Sequence, residues 1–245
     1  MAAPKRFQLG MNGSLMQGAA EAALSALSVI GKVKDLTLTL EAGEADITTR
    51  DNDGWEAIAA TLRKCGAEFE VLYNPNDQGV QALKTAFLAS TTLRMAVLSA
   101  AIATEGASGP VGDFVVSNFG RNEQLVEGMM VPVTINLNAW SQWLEPPVTY
   151  DQTATVAAAA ADATVVGTMI ATLGADMTDE TIVYSIDSQT VAGVFAIDSA
   201  DGEVTVLLNT NLGAAGTVHV VTCKLAYATS GLPFALANYT ITVTS

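Results

Sequence analysis

Side chains able to act as nucleophiles or metal ligands are sparse in this chain: one histidine, His219, and two cysteines, Cys65 and Cys223, among 245 residues. His219 and Cys223 lie four positions apart in a stretch that alternates as a strand. Strand geometry separates them by about 13 Å, beyond the reach of a nucleophile–base hydrogen bond. His219 instead shares a strand face with Val221, Cys223, Leu225 and Tyr227, a structural placement. Asp51 and Asp53 beside Trp55 have the make-up of a carboxylate pair next to a sugar-stacking aromatic. Asp53-Gly54-Trp55-Glu56 also has the spacing of a helix capping box, and capping with core packing is the reading adopted for these residues. No glycine-rich phosphate loop, zinc-type cysteine spacing or serine elbow occurs. The expectation is therefore a protein that is not an enzyme and needs no cofactor.

Composition narrows the classes further. Eleven Lys and Arg face 25 Asp and Glu, for a net charge of -14, while half of the residues are hydrophobic. Such hydrophobicity is incompatible with an acidic disordered chain. So few cations are incompatible with a protein that grips nucleic acid by its phosphates. The uncharged run 204–223 carries Asn209, Asn211, His219 and several threonines, so no membrane span is expected. No secretory signal follows Lys5 and Arg6. The two distant cysteines suggest a reducing compartment rather than a disulfide framework. Acidity is uneven: residues 1–145 carry net -6, and residues 146–245 net -8 with Lys224 as their one base. The shift falls at Pro146-Pro147, and residues 150–161, with their alanine run, read as a linker. The domains expected are 1–146 and 147–245.

These side chains must be positioned by strands. Residues 33–41 alternate, with Leu36, Leu38 and Leu40 on one face and Asp35, Thr37, Thr39 and Glu41 on the other. Residues 68–73 do the same, placing Phe69, Val71 and Tyr73 inward and Glu68 and Glu70 outward. Residues 93–99, 113–119 and 129–138 read as further strands, with Pro132 marking an edge or a bulge. Two helices are expected. The first begins at Asp53, carries Trp55, Ile58, Ala59 and Leu62 as its apolar stripe and stops at Gly66. The second has Asn74 as N-cap, Pro75 at the first helical position and Val80, Leu83, Phe87 and Leu88 at helical spacing. Residues 19–30 suit a helix by propensity and an alanine-rich surface loop by composition, and the sequence leaves both open.

The succession of these pieces resembles a known family. Residues 33–50 (VKDLTLTLEAGEADITTR), the following Asn52-Asp53-Gly54-Trp55, the strand 68–73, the helix 75–89, and the pair 113–125 (DFVVSNFGRNEQL) and 127–135 (EGMMVPVTI) are similar in order and wording to the major tail tube protein of long-tailed, non-contractile bacteriophages. The likeness covers roughly residues 5–140. It implies a mainly β fold, a tail-tube β-sandwich or half-barrel with flanking α-helices, whose strands join those of neighbours. Hexameric rings would then stack into a hollow tube that conducts DNA into the host. It also implies self-assembly, tape measure and tail completion proteins as partners, and a place in the virion tail after assembly in the host cytoplasm. Family members reach the next ring with a terminal arm and a loop near the N-terminus. Here Lys5, Arg6 and Phe7, and Ala19, Leu24 and Leu27 within residues 18–30, occupy those places.

The second domain reads as all-β, with short strands at 181–187, 194–198, 202–208, 216–228 and 237–244 separated by turn residues. Residues 181–187 (TIVYSID), 195–206 (FAIDSADGEVTV) and 239–243 (YTITV) resemble a cadherin-like or immunoglobulin-like repeat, a module often found on the outside of tail tubes. Cadherin repeats bind calcium through acidic motifs. Asp176, Asp198 and Asp201 are the positions that match, whereas Leu207-Leu208-Asn209-Thr210 replaces a further expected acidic segment. Calcium takes six to eight oxygens, so solvated turn carboxylates are the preferred reading, and no metal is expected. The contrasting function is a cell-surface binding module of tandem β-domains, with the acidic second domain as its adhesive part.

The tube reading gives the acidity a use. A wall that lets DNA slide must not offer Lys or Arg to its phosphates. The polar strand faces are therefore the expected lumen lining, with Asp35, Thr37, Thr39, Glu41, Thr134 and Asn136 as candidates and no specific DNA binding.

Overall fold

A computed structural model describes residues 13–123, 128–229 and 233–245. The chain divides into two compact units, one comprising Gly13–Val97 and Pro110–Ser141, the other including Leu98–Gly109 and Gln142–Ser245. Both are built mainly of strands, as the alternating sequence patterns predict. No helix among the described residues is long and apolar enough to cross a membrane.

The first unit is a sheet backed by one helix. Its elements are β1 (Ser14–Ala19), β2 (Ser28–Val29), β3 (Val33–Asp46), β4 (Ile58–Leu72), α1 (Gln78–Ala89), β5 (Thr92–Leu98), β6 (Gly109–Phe119) and β7 (Met130–Leu144), of which Leu98, Gly109 and residues 142–144 fall in the other unit. The sheet order is β2-β1-β5-β6-β7-β4-β3, so the 14-residue β3 forms an open edge. Alternation puts Phe69 and Val71 of β4, Met95 of β5, Phe114 of β6, and Val133 and Ile135 of β7 on one face. There they pack against Val80 and Leu83 of α1. Burying side chains of this size contributes about 1.5–3 kcal/mol each.

The α1 helix begins three residues later than its sequence suggests. Asp77 caps it, its carboxylate accepting the amides of Gly79 and Val80 at 2.9 and 3.1 Å. Asn74, the predicted cap, closes a turn just upstream by accepting the Asn76 amide on its side chain and the Asp77 amide on its carbonyl. The apolar stripe is also shifted. Gly79, Val80, Leu83 and Ala86 are buried, while Leu88 is 72% exposed.

The helix predicted from Asp53 is replaced by the turn and first half of a long β-hairpin. Ile58, Ala59 and Leu62 belong to β4, which pairs antiparallel with β3 from Asp46↔Ile58 to Val33↔Val71. The reason lies at the turn. Asp53 and Gly54 both adopt positive φ, 49° and 82°, and Asp-Gly in that conformation reverses a chain between two strands. A capping box does form, but between Thr49 and Asn52 of a single 3-10 turn. Trp55 is 79% exposed beside this turn, so the expected core packing of that residue is overturned.

Pro132 is in neither an edge strand nor an irregular pair. It faces Glu70 inside the continuous β4–β7 ladder. Its carbonyl accepts the amide of Gly120, and pairing with the same neighbour resumes at Asn122↔Met130, so the ladder omits only the bond that proline cannot donate. Residues 19–30 settle as a loop with one 3-10 turn, Leu24–Ala26, and the short β2.

The second unit carries β8 (Val148–Thr149), β9 (Gln152–Ala157), β10 (Val165–Thr168), β11 (Ala171–Thr172), β12 (Ile182–Gln189), β13 (Phe195–Ile197), β14 (Glu203–Val206), β15 (Val218–Tyr227) and β16 (Phe234–Thr244). They form sheets of order β12-β15-β16-β9, β10-β14-β13 and β11-β8. Phe195, Val204, Val221, Cys223, Leu225, Tyr239 and Ile241 fill the core. The stretch read as a linker contains β9, which runs parallel to β16 from Gln152↔Tyr239 to Ala157↔Thr244. Alanine and threonine concealed that strand because an edge strand needs few large side chains; only Val156 of β9 is buried. The turn between β5 and β6 also belongs to this unit, where the Gly106 amide donates to the Phe234 carbonyl at 3.2 Å.

Candidate functional site: a polar sheet face and a projecting arm

The face of the first unit's sheet opposite α1 collects all six residues expected at a lumen. Register sets this arrangement: Thr37 pairs with Glu68, Thr39 with Gly66 and Glu41 with Lys64, while Glu68 and Gly66 pair in turn with Thr134 and Asn136 of β7. Paired residues share a face, so Thr37, Thr39, Glu41, Thr134 and Asn136 meet on one surface, and Asp35, unpaired in a bulge, lines a groove in it. The sheet dips there into two shallow grooves. One, of about 310 Å³, is lined by Thr39, Glu41, Lys64, Glu68, Thr134 and Asn136. The other, of about 460 Å³, is lined by Asp35, Thr37, Glu68, Glu70, Asn118 and Thr134.

Local geometry explains the shape. The register shifts by one residue between Lys34 and Thr37, and Asp35 in that bulge has φ 52°, a left-handed conformation that aspartate tolerates better than branched residues. Gly66 lets β4 and β7 approach, since a Cβ there would lie 3.0 Å from the Ile135 carbonyl oxygen and 3.1 Å from Asn136 Oδ1. Asn136 Nδ2 donates to Ser117 Oγ at 2.7 Å, and Ser117 Oγ donates to the Thr134 carbonyl at 3.2 Å. Asp35, Glu41, Glu68 and Glu70 outnumber Lys34 and Lys64 on this face. The Lys34–Asp35 contact, 3.6 Å between well-exposed side chains, adds little rigidity. Glu68 and Glu70 were visible in the sequence as the outward positions of their strand. The hydroxyl and amide contributions of β6 were not, because they depend on its register with β7.

The other half of the same face is covered. Residues 18–27 cross it as a strap, with Leu27 8% exposed and a Cβ on Gly18 only 2.7 Å from Leu27 Cδ2. Asp113 of β6 is 7% exposed and accepts the Glu21 amide at 3.0 Å. It also takes the guanidinium of Arg94 on β5 in two bonds, Nε to Oδ1 at 2.8 Å and Nη2 to Oδ2 at 3.1 Å, while Arg94 Nη1 donates to Ser141 Oγ. Burial pushes the Asp113 carboxyl up, but the Arg94 hydrogen bonds and charge and the Glu21 amide outweigh it and hold the group below its usual 3.8. Nothing in the local sequence pointed to this pair, whose members are 19 positions apart. Of the inter-ring candidates, Leu27 is turned into its own subunit, Leu24 is half-buried and Ala19 is exposed, while Lys5, Arg6 and Phe7 lie outside the described residues.

The β3–β4 hairpin outruns its sheet. Its β7 partner pairs only with Gly66–Leu72, so residues 40–65 continue as a two-stranded arm. Among its charged residues the arm exposes large apolar side chains, with Leu40 at 52%, Ile47 at 55%, Trp55 at 79%, Ile58 at 52% and Leu62 at 83% exposure. An isolated two-stranded ribbon is marginal in water, and exposed apolar side chains of this size mark it as a surface for interaction.

In the second unit, Asp176, Asp198 and Asp201 already serve the backbone. Asp176 Oδ2 accepts the Trp143 amide, Asp198 Oδ1 those of Ala200 and Asp201, and Asp201 Oδ1 that of Glu203. The amides of Ala200 and Asp201 lower the Asp198 carboxyl from its usual value. Among the described residues no three His, Cys, Asp or Glu side chains gather closely enough to hold a metal ion. His219 is 2% exposed, its Nε2 bonded to the Leu212 carbonyl at 2.9 Å and its ring edge-on to Phe195.

The architecture is thus mainly β: a helix-backed sheet with a projecting arm in one unit and packed small sheets in the other. No family model matches the chain, and no curated protein is significantly similar to it. Among solved structures it is similar to the tail of an empty gene transfer agent particle computed with C6 symmetry, at 12% identity and TM-score 0.45 over 57% of this chain and 98% of that one. It is similar to the SPP1 tail tube at 10% identity and TM-score 0.43, over 56% and 77% of the two chains. The third cadherin domain of human protocadherin 7 is similar at 16% identity and TM-score 0.34, over 41% and 87%.

Proposed function

We propose that the chain is a structural virion protein of a long-tailed, non-contractile phage, a subunit that closes with five copies of itself into a ring and stacks into the tail tube. The observation that carries this reading is surface left unfinished in a single copy: the open 14-residue edge β3, continuous with an arm that exposes Trp55 and Leu62. In a monomer such an edge invites aggregation; in a closed ring it becomes a joint. The succession of sequence pieces from Val33 to Ile135 supports the same reading. The polar face then lines the lumen, and its excess of carboxylates repels the DNA that passes on ejection. Contacts between rings are assigned to the arm together with Lys5, Arg6 and Phe7. Residues 1–146 form the tube domain and 147–245 an acidic outer module. Tape measure and tail completion proteins are the further partners, and the virion tail is the location, after assembly in the host cytoplasm.

Electron microscopy of the purified chain over a range of concentrations tests the proposal. Hollow tubes or six-fold rings are the expected result. A stable monomer at high concentration refutes it and favours the tandem binding module.

A further inference from the structure

Of the three cations that the described residues place on the proposed lumen face, Lys34 and Lys64 are exposed and outnumbered by neighbouring carboxylates, whereas Arg94 is covered. It stands on β5, opposite Asp113 in the β5–β6 register. Its neighbours in sequence and register, Met95 and Phe114, point into the α1-side core. By alternation Arg94 and Asp113 therefore project to the face that carries Glu68, Thr134 and Asn136. Ser117, two alternations along β6 from Asp113, bonds Asn136 on that same face. Yet the Arg94 side chain is only 15% exposed and that of Asp113 10%. The carboxylate grips the guanidinium in a two-bond fork and, with the same Oδ1, holds the strap through the Glu21 amide. Glu21 adopts φ 60°, a left-handed conformation in which a non-glycine residue is held only by its surroundings. The strap itself, residues 18–27, contains no Lys or Arg, and its one charge is Glu21.

We infer that Asp113 and the strap it fastens act as a mask, neutralising Arg94 and keeping its guanidinium away from DNA in the lumen. This rests on the tube reading. A fork of two charge-assisted bonds fixes the guanidinium plane, so the arginine cannot swing out toward a passing phosphate. The pair has a structural role in any reading. What the mask adds is a consequence for polyanions, because each uncovered cation creates a salt-sensitive phosphate contact.

The test uses tubes assembled from the full chain and a fluorescein-labelled duplex of about 20 base pairs at low salt, with retention measured after pelleting. Asp113→Asn removes the neutralising charge, and Arg94→Lys keeps the cation while breaking the fork. Both are assembled with an excess of wild-type subunits so that tubes form even if a pure variant folds poorly. Asp187→Asn, which deletes an exposed carboxylate in the other unit, controls for net charge. Replacing both Arg94 and Asp113 by leucine removes the cation itself. The expected result is about tenfold more retained duplex for the two single variants, lost again as salt rises, with the control and the double variant at wild-type level. Single-variant tubes that retain no more duplex than Asp187→Asn tubes overturn the mask. Failure of the wild type to form tubes overturns the tube reading instead, so the two failures are distinct.

Discussion

Changing Trp55 to Ser, Ile58 to Thr and Leu62 to Thr together should abolish assembly and leave the fold intact. These side chains are 79%, 52% and 83% exposed in the single subunit. Burying a whole tryptophan removes about 150–250 Å² from water, so at about 25 cal/mol per Å² the exposed part of Trp55 is worth roughly 3–5 kcal/mol when covered. Ile58 and Leu62 add roughly 1 and 2 kcal/mol on the same scale. If a neighbouring subunit covers half of this surface, the arm contributes on the order of 3–4 kcal/mol to each contact. Losing that raises the concentration needed for assembly by at least about 100-fold. Folding should move by less than about 0.5 kcal/mol, because exposed side chains lose little and threonine keeps a strand's preferences. Pelleting across a concentration series measures the first quantity, and thermal melting by circular dichroism the second. A variant that assembles at the wild-type concentration refutes the reasoning. So does a large drop in melting temperature, which would mean that the arm packs on its own subunit.

Further outcomes follow from the cores and the buried charges. Gly112→Ala places a Cβ 2.6 Å from Leu137 Cδ1 and 2.7 Å from the Ala139 carbonyl oxygen, and backbone cannot yield as a side-chain tip can. A loss of about 1–3 kcal/mol by chemical denaturation is expected, and an unchanged midpoint would contradict the packing. Because Asp113 is held below 3.8 in the folded protein, its ionised form contributes stability that is fully present above that value and lost as the pH falls through the folded value. Melting temperatures taken from about pH 5 down to about pH 2 should fall less steeply for Asp113→Asn than for wild type, and parallel curves would oppose the assignment. Burial pushes the Cys223 thiol up to about 11, so native protein at mildly alkaline pH should leave Cys223 unalkylated while denatured protein reacts. Rapid native labelling at Cys223, read by mass spectrometry, would show that the second core opens readily.

The strands were legible because their signal is local. Leu36 and Leu38 against Thr37 and Thr39, or Phe69 and Val71 against Glu68 and Glu70, reveal a face without reference to the rest of the chain. The same alternation singled out six polar candidates; the pairing registers assemble five of them on one surface, and Asp35 reaches it from a bulge. The turn at Asp53-Gly54 misled because Trp55, Ile58, Ala59 and Leu62 happen to fit a period of 3.6. The Asp-Gly pair was a hairpin signal, but it becomes decisive only when β3 lies alongside β4. The α1 cap was ambiguous for a related reason. Asn74 and Asp77 both have capping chemistry, and packing of Gly79 and Val80 against Ile30 and the sheet selects the second.

Sequence alone therefore determined how charge divides between the two halves, which side chains face water on β3 and β7, and most of the strands, though not the first half of β4 or β9. Each of these depends on the spacing of residues within a few positions of one another. Only the tertiary structure decided that residues 40–65 extend beyond β7 as an arm with exposed apolar side chains, that β9 completes the second unit, and that Asp113 joins Arg94 to the strap. Those outcomes depend on which distant segments meet and in what register, and a one-residue shift in pairing would turn the same side chains to the opposite face.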